Sequence, residues 1–373
     1  MRSIERLGFL GCAALAAFSG CGTFEPSPGQ AISDESWKTL VARRGVTPAD
    51  APNPMALTPE MAVAARDMAG AGTESERLDR LRRTLLDGKT FSFEYEKDST
   101  FTSAEAFEAR RGNCVSFTNL FIALGRSLGS RLQAALILSR GLSEREGDLV
   151  ITRQHMVAVR EDPASHTVWV YDFYQTLEKP SGPHVFLDDF EVAGVRASNA
   201  GVAHLERGEN AEARRQLELA VKLSPRLGDF WGNLGLAAWR TGDSQAALAA
   251  YRRGLEVDSS SPALHQNLAA YYIGQGRPAE ARAALASMDV TRASPYAFLV
   301  RGDLELAGGN LTKAITNYRK AASANHKLAE PWLAIARAEI ARGRPAAARK
   351  ALEKALKRDP KNTDAQHLLD EMH

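Results

Sequence analysis

Three residues have the types that thiol chemistry needs: Cys114 in RRGNCVSF, His155 in QHMVAV and Asp172 in VYDF. A thiol acts as a nucleophile when a base takes its proton, and the base works when a third group orients it. Asn113 is a good N-cap, so Cys114 falls at the first position of a helix. The helix dipole and unpaired N–H groups there favour a negatively charged sulfur and suit an oxyanion. Alternation along LVITRQHMVAVRE puts His155 on the face of Val157 and Val159, the expected core face, and TVWVYDF puts Asp172 on the face of Val168 and Val170. Adjacent strands would then present His155 beside Asp172, and a Cys114 helix packed on that face would complete the set. Singly, such a cysteine is more often a small buried residue; the ordered trio is what points to chemistry. Asp188 and Asp189 read as a helix cap, and His166 and His184 as loop residues. His155 has no second ligand at short spacing, so neither a metal nor a cofactor is expected.

The elements that must position these residues are legible. Thr58 and Pro59 open one helix, a second runs from Glu74 to Leu86, and FSFEYE alternates as a short strand. Thr102 to Glu105 form a capping-box pattern. After Gly112, Phe117, Leu120, Phe121, Leu124 and Leu128 make one apolar stripe, ended by Gly129. RLQAALILS, LVITRQHMVAVRE and HTVWVYDF follow as three strands, with turns at Gly141, Gly147 and Pro163. Helices followed by an antiparallel sheet make an α+β unit over residues 56–192.

From residue 193 the chain repeats itself. Ala213, Ala247, Ala281, Ala314 and Ala348 recur at a period of about 34, and so do the small residues Gly201, Gly235, Ala269, Gly302 and Ala336. Leu217, Tyr251, Leu285, Tyr318 and Leu352 keep the same register. Small residues recur because paired helices approach closely only there. The pattern resembles the tetratricopeptide repeat (TPR): five repeats over 193–362 and a partial capping helix over 363–373, an all-α solenoid. Leu205, Trp239, Ile273, Leu306 and Ile340 share a register that often faces the groove; all but Trp239 read as inter-repeat packing, and Trp239 is the groove candidate.

The N-terminus carries a basic start and an apolar run, Leu7–Phe18, too short to span a bilayer. Phe18-Ser19-Gly20-Cys21 resembles a bacterial lipobox. That resemblance implies a signal peptide over 1–20, lipid on Cys21, and an envelope location, at the outer membrane facing the periplasm. Residues 21–55 read as an extended tether with one short helix near Trp37. With Cys12 removed and Cys21 lipidated, Cys114 is left as an odd thiol, either paired with another molecule or reactive. Residues 193–373 carry 26 Lys+Arg against 19 Asp+Glu, and residues 1–192 carry 21 against 26, so the two units differ in surface charge. No nucleic-acid partner is expected.

GNCVSFTNLFIALGRSLG, QHMVAV and VYDF together resemble the transglutaminase-like cysteine enzyme superfamily, over about 56–180. The resemblance implies a papain/transglutaminase-like α+β fold with Cys114 as nucleophile, His155 as general base and acid, and Asp172 as orienter. It implies thioester chemistry on a protein or peptide amide, by transfer or hydrolysis, with the TPR solenoid holding substrate or a protein partner. Val157 stands where many members have an aromatic residue, and Phe173 where many have Pro. Tyr95 is the candidate oxyanion donor. The opposing expectation is an inactive adaptor that organises envelope assembly; retention of all three residues favours the enzyme.

Overall fold

Asn113 starts the helix on which the α+β unit is built. Its side-chain oxygen accepts hydrogen bonds from the N–H groups of Val115 and Ser116, and helix α5 runs Cys114–Ser127. This is a computed structural model, and it describes residues 29–87, 89–146, 149–161, 168–173, 184–287 and 295–372. Cys12, Cys21, the lipobox and His166 lie outside the described residues.

The sequence reads α5 as a helix with one apolar stripe, but every residue from Val115 to Arg126 is buried. The reason is packing on several sides. Helices α2 (Pro59–Ala69), α3 (Glu74–Leu86) and α4 (Ser103–Ala109) lie against it, and strand β4 (Leu149–Glu161) covers another side. A helix covered all round must also hide polar residues, and these are hydrogen-bonded. Thr118 Oγ1 donates to Met156 O at 3.1 Å, and Asn119 Nδ2 donates to Phe101 O at 3.0 Å.

The sheet is antiparallel, in the order β5-β4-β3-β6, with β3 Gln133–Glu146, β5 Val168–Tyr171 and β6 His184–Leu187. Two expectations fail here. Gly141 is not a turn but lies inside β3, where the pairing with β4 slips between Ile137 and Leu142. His184 is not in a loop; it opens β6 and pairs with Ile137. FSFEYE contributes only β1 (Glu94–Tyr95), parallel to β2 (Arg111–Gly112), because Phe91 and Phe93 turn into the core.

Five helix pairs follow: α6 (Asp189–Glu206) with α7 (Asn210–Leu223), α8 (Gly228–Arg240) with α9 (Ser244–Val257), α10 (Pro262–Gly274) with α11 (Pro278–Ala286), α12 (Pro295–Ala307) with α13 (Leu311–Ala324), and α14 (Glu330–Ala341) with α15 (Pro345–Arg358). Helix α16 (Thr363–Asp370) packs on α15. The first of these helices begins at Asp189, just ahead of the residue 193 where the repeats were expected to start. Asp188 caps it through a reciprocal capping box with Glu191. The recurring small residues receive large side chains from the partner helix: a Cβ at Gly201 would meet Leu217, one at Gly235 would meet Tyr251, and one at Gly302 would meet Tyr318. The α+β unit and the first repeats share one buried core, and β4 also lies against α8 and α10.

In the described part of residues 21–55 the short helix expected near Trp37 is present, but the segment is packed on the first repeat instead of running as an extended tether. Helix α1 (Asp34–Arg43) buries Trp37, whose ring stacks on Phe190 at 4.8 Å and whose Nε1 donates to Ala51 O at 2.8 Å. Leu40, Val41, Val46, Ala193 and Leu223 complete that cluster. An apolar helix face with this much area gains more by packing on the first repeat than by staying in water. Among the described residues, no helix is long and apolar enough to cross a membrane.

Candidate active site

The start of α5 is held by a dense set of short-range bonds. Asn113 Nδ2 donates to Thr100 Oγ1 at 2.6 Å and Lys97 O at 3.3 Å, which turns its oxygen toward the helix. Ser116 Oγ accepts from Phe101 N at 2.8 Å and donates to Ser99 O at 2.9 Å. Gly112 has φ +146°, and a Cβ there would collide with Ser116, so this position requires glycine. Cys114 is thus fixed at the first helical position, part-buried and, among the described residues, free of any disulfide.

His155 stands at the last β3–β4 register before the slip, opposite Ile137. Its Nε2 lies 2.9 Å from Asp172 Oδ2, and Cys114 is near enough to the ring to act on its charge. With Nε2 on the carboxylate, Nδ1 is the ring nitrogen left for the thiol. Both partners are sheltered, the side chains of His155 and Asp172 being 11% and 2% exposed. Burial opposes charge on the ring, but the hydrogen bond to Asp172 and the pull of Asp172 and Cys114 outweigh it. They carry the His155 pKa from 6.5 up to about 9.

The alternation argument chose the wrong face as the one against α5. Met156, Ala158 and Tyr171 join Leu120, Phe121 and Leu124 in the main core, whereas Val157 and Val159 gather with Ala135 and Ile137 in a separate buried cluster. The bond from Thr118 to the Met156 carbonyl sets that registry. Both faces of the strand are buried, so alternation alone could not tell them apart. The three residues nevertheless come together.

Phe173, which departs from the expected Pro, closes an aromatic cluster over the start of α5. Its ring lies 5.5 Å from Phe117, 6.0 Å from Phe93 and 5.4 Å from Tyr95. Tyr95 is in register with Gly112 and 41% exposed, beside the site and open to solvent. Trp239, the groove candidate, is half-buried and has packing partners in the next repeat. Its ring meets Tyr271 edge-on at 5.6 Å and lies on Gly274, so it is used in packing the second repeat on the third. Thr100 escaped the sequence reading because loop residues that bond a cap from 13 positions away leave no local pattern. Asn199, which touches Thr100, did leave one: asparagines recur at 199, 233 and 267, the repeat period.

A buried thiol–imidazole–carboxylate set at a helix start, in an α+β unit fused to paired-helix repeats, defines a class: a cysteine-enzyme-like domain joined to a helical solenoid. The family profiles agree. The transglutaminase-like superfamily matches residues 62–171, and tetratricopeptide repeats match 199–262, 267–327 and 329–369. The chain therefore has a transglutaminase-like domain followed by TPR repeats, modules of protein–protein interaction. It is similar to small glutamine-rich tetratricopeptide repeat-containing protein 2 of Mycosarcoma maydis, 36% identical over 20% of this chain and 22% of that protein. It is also similar to BBSome complex member BBS4 of Bos taurus, 29% identical over 24% of this chain and 18% of that one. The chain thus spans about a fifth of the length of these curated relatives. A solved TPR protein of Thermus thermophilus is 20% identical, with a TM-score of 0.45 over 48% of this chain and 98% of that one.

Proposed function

We propose that the α+β unit is a thiol acyl-transfer enzyme acting on an amide of a protein or peptide, with Cys114 as nucleophile, His155 as base and acid, and Asp172 as orienter. The observation that carries this reading is the His155 ring bonded to Asp172 Oδ2 at 2.9 Å, with Cys114 near enough to act on its charge. The thiol proton passes to His155 and the sulfur attacks the carbonyl carbon. Of the first helical N–H groups, those of Val115 and Ser116 are taken by Asn113. The Cys114 N–H is the donor for the oxyanion, and Tyr95 is the candidate second donor. The imidazolium then gives its proton to the leaving amine, forming a thioester. Water or an amine, deprotonated by His155, attacks the thioester and returns the thiol. The TPR repeats recruit the substrate or a partner.

A generic acyl donor tests this. p-Nitrophenyl acetate is expected to release p-nitrophenolate and leave an acetyl thioester on the Cys114 peptide, trapped in acid and read by mass spectrometry. Cys114→Ala should give no such adduct there and no stoichiometric burst. A burst of equal size in Cys114→Ala would remove Cys114 as the nucleophile.

The lipobox motif supports a second part of the reading: Cys21 carries lipid and holds the protein at a bacterial envelope membrane, facing the periplasm. Cys21→Ser is expected to move the protein from the membrane to the soluble fraction; unchanged sedimentation with membranes would count against the anchor.

A further inference from the structure

We propose that the first helix of the repeat array positions the nucleophile, through a relay from Asn199 to Thr100 to Asn113; the proposal rests on Cys114 acting as above. Asn199 lies on α6, in the solenoid. Its Nδ2 donates to Thr100 Oγ1 at 3.4 Å, the same oxygen that accepts from Asn113 Nδ2 at 2.6 Å. A hydroxyl oxygen has two lone pairs and one hydrogen. With both lone pairs occupied by amide N–H groups, the hydroxyl hydrogen must point away from Asn113. Asn113 is then kept as a donor to Thr100, and its own oxygen faces Val115 N and Ser116 N. If Asn199 is removed, the hydroxyl can rotate and donate toward Asn113. Asn113 Nδ2 then keeps only Lys97 O as a committed acceptor, at 3.3 Å, and the hold on the cap is weakened. The cap that fixes Cys114 is therefore held partly from the first repeat, through Thr100, and partly by Lys97 O.

The other end of α5 is held by the same helix. Arg126, in the last turn of α5, makes a two-pronged contact with Asp189, the first residue of α6, at 2.7 and 2.9 Å. Both side chains are nearly sealed from solvent, at 3% and 7% exposure. Asp189 and Asn199 are ten residues apart on α6, about 15 Å at 1.5 Å per residue. The helix is thus linked to both ends of α5, directly at Arg126 and through Thr100 at Asn113. Arg196 of α6 adds a third link, 3.9 Å from Glu105 on α4. The solenoid is part of the frame of the active site rather than a separate recruiting arm.

The test is the rate of Cys114 alkylation by iodoacetamide across pH, on the full chain, read at the Cys114 peptide so that Cys12 and Cys21 do not contribute. Thr100→Val and Asn199→Ala are expected to slow alkylation about fivefold, the size of one net hydrogen bond, and to displace the pH–rate profile. Thr100→Ser, which keeps the hydroxyl, should restore the wild-type profile. Thermal midpoints are measured on the same samples. A lowered midpoint with a profile superimposable on wild type would mean a structural role only, and would overturn the proposal. So would a displaced profile in Thr100→Val beside an unchanged one in Asn199→Ala, which would confine the relay to the α+β unit. His155→Ala separates the underlying reading: if it too alkylates at the wild-type rate at every pH, Cys114 is not the proposed nucleophile and the relay has nothing to position.

Discussion

Asp172→Asn is expected to bring the titration of the His155 ring down from about 9, the value set by Asp172 and Cys114 against burial, and to slow acylation of Cys114 by about 10²–10⁴-fold. The physical cause is the same for both effects. The carboxylate lies 2.9 Å from Nε2 and is 2% exposed, so little water screens it. It holds a proton on the ring and fixes which nitrogen faces the thiol. An amide oxygen or nitrogen at that point carries no charge, and burial of the ring then favours the neutral form. Titration of the His155 ring C–H by NMR, in wild type and Asp172→Asn, measures the shift directly. A wild-type midpoint near the ordinary 6.5 would show that the charge pair does not form. The same shift bears on stability. The ring binds its proton more tightly folded than unfolded, so its contribution is complete below pH 6.5 and is lost as pH rises through about 9. Denaturant midpoints of wild type should therefore fall across that window, and those of Asp172→Asn should fall less.

At neutral pH the proton needed by a leaving amine is already on the ring. That suits amide chemistry, in which the amine must leave protonated, more than ester chemistry, in which a phenolate leaves unaided. Tyr95 and Phe173 form an aromatic wall beside these residues, and Tyr95 is open to solvent.

Much of this was legible because it rests on short-range rules. Asn113 before Cys114, the boxes at Thr102 and Asp188, and the small-residue period of the repeats are each decided within a turn or within one helix pair. What could not be read depends on how units dock. A short helix near Trp37 was legible, but its docking was not, because the ring's stacking partner, Phe190, lies far along the chain. The face of β4 was misassigned because buried residues line both sides. Trp239 shares a register that often faces the groove, and the sequence could not show that Tyr271 and Gly274 of the next repeat pack against it. Thr100 was invisible for the same reason, since a loop residue that bonds a distant cap follows no spacing rule, whereas Asn199 shows only as one of the asparagines at the repeat period.

The second large effect follows from that docking. Arg126→Ala is expected to destabilise the protein by about 3–5 kcal/mol, read as a shift in the urea midpoint. The loss arises less from the bond removed than from what stays behind. Asp189 keeps its charge at 7% exposure with its two-pronged partner gone, and the Leu132 carbonyl loses the donor that Arg126 Nε supplied at 2.9 Å. The placement of the pair makes it favourable in the native protein. Arg126 is in the last turn of α5, where the helix dipole favours a cation, and Asp189 is at the first turn of α6, where it favours an anion. The double variant Arg126→Met, Asp189→Leu removes both charges while keeping volume, and should recover most of the loss. A single variant within about 1 kcal/mol of wild type would mean that water enters the pocket and screens Asp189. Because the pair joins the nucleophile helix to the solenoid, the single variant should also slow Cys114 alkylation at temperatures well below its unfolding midpoint. The double variant should leave that rate closer to wild type, since an apolar contact can hold the two helix ends together as the ion pair does.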